Sequence, residues 1–191
     1  MPISGFFKAL KGRKQKTQHF FYPYRYILQQ LLVNINLNSD VMPQSLSRVY
    51  VHLTYSTKEH YSFLDIGIRP RVFEYLGGIC KGLECYPVII GGHIDHVHIL
   101  CLLSRKISQM KLVEELKKQS SQWVKKVDSK YSKFSWQRGY GVFSVNPKEV
   151  DVVKRYIENQ DEHHKKMTFK EEFRLFLKNY NVDYDERYVW D

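Results

Sequence analysis

Residues 91–103 read Gly91-Gly-His-Ile-Asp-His-Val-His-Ile-Leu-Cys-Leu-Leu103. From His96 onward this is a strand, in which successive side chains point to opposite faces. His96 and His98 therefore share one face, and Val97, Ile99 and Cys101 share the other. The apolar set belongs against helices, and the imidazoles belong on the face those helices leave free. Two imidazoles side by side can hold one cation together, although a hydrogen-bonded or surface pair has the same spacing. Immediately upstream, Pro87-Val-Ile-Ile-Gly-Gly92 is an apolar strand ending in a turn, close enough to pair with the first as a hairpin.

Further upstream, Val49, Val51, Leu53 and Tyr55 alternate with Tyr50, His52 and Thr54, a half-buried strand. A helix opens at Pro70, with Val72, Leu76, Ile79 and Leu83 on one side and Gly82 near its end. Downstream, Ser108 is placed to cap a helix whose stripe is Leu112, Leu116, Trp123 and Val127. Lys117, Lys118, Lys125 and Lys126 lie off that stripe and are expected to face outward. Gly139-Tyr-Gly-Val-Phe-Ser-Val145 is a fourth strand. Asn146-Pro-Lys-Glu149 carries a helix-start pattern, and the helix it opens is expected to reach about Met167. Thr168-Phe-Lys-Glu171 repeats the capping pattern before a short terminal helix. The order β-α-β-β-α-β-α-α predicts an α+β fold: a ferredoxin-like antiparallel sheet with two helices on one face, followed by two more helices.

The chain has 191 residues, a formal net charge of +10 and 15% aromatic residues. Basic charge with many Tyr and Phe suits a polyanion carrying stackable bases. The three cysteines, Cys80, Cys85 and Cys101, form no C-x-x-C pair and read as ordinary thiols of a reducing compartment. No apolar run approaches the roughly 20 residues of a membrane span, and no secretory signal is evident. A cytoplasmic location is expected. Residues 1–41 carry Lys8, Lys11, Arg13, Lys14, Lys16 and Arg25 against Asp40 alone, without a clean period. They are read as a basic extension or as an upstream stretch translated from the wrong start, with the folded domain spanning 42–191.

Tyr156 stands out among the fourteen tyrosines by position. It lies in the helix after the fourth strand, with Gln160 one turn further on the same face. Val150, Val153 and Ile157 form that helix's apolar stripe. Tyr156 and Gln160 lie at its edge, where they can overhang the histidine face. His163 is a further neighbour, although His163-His164 reads as a solvated pair.

His96-Val97-His98 with Tyr156-Ile-Glu-Asn-Gln160 resembles the HUH endonucleases. Within them the chain is most similar to the single-tyrosine, IS200-like transposases of short bacterial insertion sequences, including those associated with repetitive extragenic palindromes. Ser47–Thr57, Gly91–His98, Phe134–Ser144 and Tyr156–His164 all carry the likeness, which covers about residues 42–191. The resemblance implies a transposase that nicks and rejoins single-stranded DNA at hairpin-marked ends. Tyr156 would attack a phosphodiester and hold the strand as a 5′-phosphotyrosine. His96, His98 and Gln160 would hold Mg or Mn. No small-molecule cofactor is implied. A homodimer is implied, in which the tyrosine helix can pair with the partner's histidines, so cis and trans sites both stay open. A nucleoid-associated protein of a bacterial-type cytoplasm would fit. Lys117, Lys118, Lys125, Lys126 and Arg138 are the candidate DNA-contacting cations, although a basic helix face is often only solvated. Asp95 is either a partner of His96 or a turn residue.

Three rivals remain. A two-histidine phosphoesterase would need one His-x-Thr/Ser motif in each half of the fold, and the half beyond residue 100 has none. A non-catalytic single-strand-binding module would have no use for the metal pair or Tyr156, and would be insensitive to chelator and to Tyr156→Phe. A domesticated host regulator would bind its own palindromes and seldom cut, and it can keep the motif intact.

Overall fold

The computed structural model describes residues 46–190. The expectation for residues 1–41 lies outside the described residues. Four strands form one antiparallel sheet: β1 Tyr50–Ser56, β2 Tyr86–Gly92, β3 His96–Leu102 and β4 Gly141–Val145. Their order is β2-β3-β1-β4. Helices α1 Arg69–Gly82 and α2 Gln109–Val127 connect them in the split β-α-β arrangement, and α3 Val150–Glu158, α4 Gln160–His163 and α5 Phe169–Asn179 follow. This is the expected α+β, ferredoxin-like fold.

Strand alternation builds the main core. Val51, Leu53 and Tyr55 of β1 and Val97, Ile99 and Cys101 of β3 pack against Val72, Leu76 and Ile79 of α1 and Leu112, Leu116 and Val124 of α2. The α2 cap is as expected: the Ser108 hydroxyl accepts the Lys111 amide. Trp136 hangs its indole N–H on Ser120 at 2.9 Å, which satisfies the polar end of a buried ring.

Three expectations are corrected. The opposite face of the sheet is covered: α3 packs on β2 and β3, and α5 lays Phe169, Phe173 and Leu177 against Phe143 of β4. The helix after β4 begins at Val150, after a turn over residues 147–149 in which the Asn146 side chain accepts the Lys148 amide. That helix also stops at Glu158, and Asn159 (φ −98°, ψ 20°) separates it from α4. The break reorients Gln160 to His163 relative to Tyr156. The terminal helix does carry its capping box, Thr168 with Glu171.

The third correction concerns Lys117. Its ammonium is turned inward, donating to the carbonyls of Gln137, Arg138 and Gly139 at 3.0, 3.0 and 2.7 Å. It also lies over the rings of Tyr55 and Tyr140. Burial pushes its pKa down to about 7, while the three carbonyls use all three of its donors. Lys117 thus anchors the loop entering β4 and is not a free DNA contact. Hydrogen bonds to charged groups contribute roughly 1.5–3 kcal/mol. Lys117→Ala is therefore expected to cost about 2–3 kcal/mol in urea unfolding, against less than about 0.5 kcal/mol for the exposed Lys118→Ala. Equal, small losses in both variants would refute the anchoring role.

Candidate active site and metal centre

His96 and His98 are fully buried on the sheet face covered by α3 to α5. The close approach of α3 depends on β2 having a glycine at position 91, which pairs with His98 across the strands. A Cβ at Gly91 would lie 2.6 Å from Ile157 Cγ2 and 2.8 Å from its carbonyl oxygen. Gly92, at φ +145°, turns the chain toward His96, where a Cβ would meet the His96 carbonyl at 2.2 Å. Leu100, Val145 and Ile157 then clamp α3 to the sheet. Tyr156 is carried to the histidines, with ring centroids 5.8 Å from His98 and 6.4 Å from His52.

At the helix break, Gln160 turns inward and is buried. Its Oε1 lies 3.1 Å from His96 Nε2 and 2.9 Å from His164 Nε2, and its Nε2 donates to Glu172 Oε1 at 3.1 Å. Helix α4 is tied down by Asp161, which accepts a two-pronged bond from Arg69 at 2.8 and 3.1 Å and lies 2.9 Å from His93 Nδ1. Glu172 of α5 completes the cluster. The Tyr156 hydroxyl donates to Glu172 Oε1, and Glu172 Oε2 lies 3.3 Å from His98 Nε2, 3.5 Å from His164 Nε2 and 3.9 Å from His96 Nε2.

The tautomers follow from the outer partners. His96 Nδ1 faces Asp95 Oδ1 at 2.7 Å, and His164 Nδ1 faces the Met167 carbonyl at 2.7 Å. Both partners are acceptors, so each Nδ1 carries a proton and each ring turns its Nε2 inward. Those Nε2 atoms face the Gln160 carbonyl oxygen and the Glu172 carboxylate, both acceptors. His98 Nδ1 is held by His52 Nε2 at 2.9 Å, and among the described residues His98 Nε2 and Glu172 Oε2 have no hydrogen-bond partner. Burial holds His98 well below the usual imidazole range and His164 down at about 4, and it pushes Glu172 up to about 7. At Asp95, burial works upward, but the hydrogen bond from His96 and the nearby imidazoles outweigh it, and its pKa is lowered.

The inner atoms of three imidazoles, an amide oxygen and a carboxylate thus converge in a site whose burial disfavours protonating His98 and His164. A divalent cation fits this arrangement. One ligand atom each from His96, His98, His164 and Glu172 lies within 4.8 Å of the others.

The expected residues Tyr156, His96, His98 and Gln160 are therefore brought together, all from one chain. The basic candidates are not with them. Lys118, Lys125 and Lys126 are exposed on α2, across the sheet from Tyr156, and Arg138 lies in the loop before β4. The solvated reading of His163-His164 is corrected for His164, whose side chain is 4% exposed within the cluster. Sequence reasoning missed Glu172 and His52. For His52 a signal existed, since it alternates with Val51 and Leu53 and so shares the face of His96 and His98. Glu172 had none, because only the fold-back of α5 brings it here.

The family model for transposase IS200-like proteins matches residues 45–160. Comparison with curated proteins finds no match. Among solved structures, the chain is similar to a provisionally named transposase from Deinococcus radiodurans R1, with 21% identity, a TM-score of 0.49, and coverage of 61% of this chain and 93% of that one. It is also similar to a REP-associated tyrosine transposase bound to a REP hairpin, with 14% identity, a TM-score of 0.49, and coverage of 63% and 72%. Among the described residues no helix is long and apolar enough to cross a membrane.

The contact at Gly91 yields a test. Gly91→Ala is expected to lower stability by about 1–3 kcal/mol through overpacking against Ile157, read by thermal or urea unfolding. An unchanged midpoint would mean that α3 does not sit on the sheet as described. With the family model spanning most of the described residues and its motifs gathered at one buried site, the chain belongs to the IS200-like transposase family.

Proposed function

We propose that this transposase nicks and rejoins single-stranded DNA at hairpin-marked ends, with Tyr156 as the nucleophile. The observation that best supports this reading is the convergence of the Tyr156 hydroxyl, the inward Nε2 atoms of His96 and His98, and Gln160 Oε1 around one buried point. In the cutting step the Tyr156 phenolic oxygen bonds to phosphorus and the P–O3′ bond breaks. The 5′ end stays on Tyr156 and the 3′-oxygen leaves as a hydroxyl after taking up a proton. Glu172 Oε1 already accepts the Tyr156 hydrogen bond, which places it to receive the phenolic proton. Rejoining reverses the step with another 3′-hydroxyl, and the retained phosphodiester energy removes any need for ATP.

His96, His98 and Gln160 would hold the divalent cation, with His164 and Glu172 beside them. Its chemistry would be to neutralise charge on the scissile phosphate. Three imidazoles and a carboxylate favour Mn over Mg within the expected pair. Asp95 and the Met167 carbonyl keep His96 and His164 in the tautomer a ligand requires. Family membership supports a homodimer as the working form. The ligands and Tyr156 meet within one chain, which supports a cis site.

The test uses labelled single-stranded DNA from the flanks of the chain's own gene, with Mn or with chelator, read as a denaturant-resistant protein–DNA adduct. Wild type with Mn is expected to form the adduct; chelator and Tyr156→Phe are expected to abolish it. His96→Ala and His98→Ala should slow it by about a hundredfold or more. Glu172→Gln should slow it by about a hundredfold while leaving DNA binding in place. Tight binding without an adduct under any metal would contradict the catalytic reading and favour a palindrome-binding protein.

A further inference from the structure

A groove crosses Tyr156 in two arms. One arm is a cavity of about 290 Å³ between β1, α3 and α5, walled by His52, Val152, Leu175, Phe176 and Tyr180. The other is a cavity of about 410 Å³ along α3 and α4, lined by Asn159, Glu162 and Lys166. Tyr156, His163 and Met167 line both, so the hydroxyl-bearing ring stands where the arms meet.

The arms differ in chemistry. In the first, Val152, Leu175 and Tyr180 are 56%, 45% and 41% exposed. They come from α3, α5 and the residue capping α5, yet they converge on one mouth. Inside, the Phe176 ring stands edge-on to Tyr156 with centroids 5.9 Å apart. In the second arm Glu162 is matched by Lys165 at 2.6 Å. Lys166 has no ion-pair partner among the described residues, so it gives this arm an uncompensated positive charge.

We propose that the groove is a track for one unpaired strand: the aromatic arm seats the base of a nucleotide adjoining the cut phosphate, and Lys166 contacts the backbone on the other side. The proposal rests on Tyr156 being the nucleophile. A strand attacked at Tyr156 must continue both ways from it, and the two arms supply the two directions. Every base has a π-face that stacks on aromatic side chains, whereas its phosphate needs a cation. A paired, stacked base has its faces and edge covered, so only an unpaired or extruded one can enter the arm.

The test scans a single abasic nucleotide across the mapped cut in oligonucleotides from the gene's own flanks, with adduct yield in Mn as the readout. In wild type, removing the base at one position next to the cut should lower the yield by about tenfold, and removal further away should leave it unchanged. In Leu175→Ser, altered only at the exposed mouth, and in Phe176→Leu, which keeps an apolar filler, that penalty should shrink to less than about threefold. Circular dichroism checks that both variants fold. No abasic penalty beside the cut, or the same penalty in all three proteins, would overturn the base-seating arm while the Tyr156-dependent adduct still stood. No Tyr156-dependent adduct on any oligonucleotide would overturn both readings.

Discussion

Three imidazoles and a carboxylate, their ligand atoms within 4.8 Å of one another in a buried site, set the terms for this fold. Burying polar atoms without partners costs free energy, and here the Nε2 of His98 and the Oε2 of Glu172 are buried and unpartnered among the described residues. The cost is spread by the outer bonds: Asp95 on His96, His52 on His98 and the Met167 carbonyl on His164. Each fixes a ring with its Nε2 turned inward. A divalent cation is the simplest partner that satisfies them all.

Holding such a cluster together falls to apolar contacts on either side. Leu100, Val145 and Ile157 fasten α3, and Phe143, Phe169, Phe173 and Leu177 fasten α5. At about 1.5–3 kcal/mol for each large side chain fully buried, these two patches outweigh the unpaired polar atoms between them. The His96 ring also stacks on Phe169 at 4.6 Å, so the terminal helix positions a histidine as well as supplying Glu172. The same arrangement leaves Tyr156 half-buried, with its ring reaching both the cluster and the groove.

Much of this was legible in the chain. Strict alternation over 96–101 put His96 and His98 opposite Val97, Ile99 and Cys101, and the sheet obeys it. Tyr156 and Gln160 both reach that face as expected, although a helix break at Asn159, not a continuous helix, brings Gln160 there. The failures have physical reasons. The pattern at Asn146 looked like a helix cap, but its side chain had a nearer amide to accept. Spacing alone marked Lys117 as outward, yet its long stem lets the ammonium reach three loop carbonyls. The helix break at Asn159 has no glycine or proline to announce it. Glu172 and His164 join the site only through tertiary fold-back, which no local period encodes.

The central claim is that Tyr156 carries the strand beside the histidine cluster. Tandem mass spectrometry of the adduct formed on single-stranded DNA with Mn, after nuclease and protease digestion, tests it most directly. The account predicts a nucleotide joined through its 5′-phosphate to Tyr156 and a free 3′-hydroxyl on the released fragment. A nucleotide on any other residue, or a 3′-phosphate linkage, would contradict it.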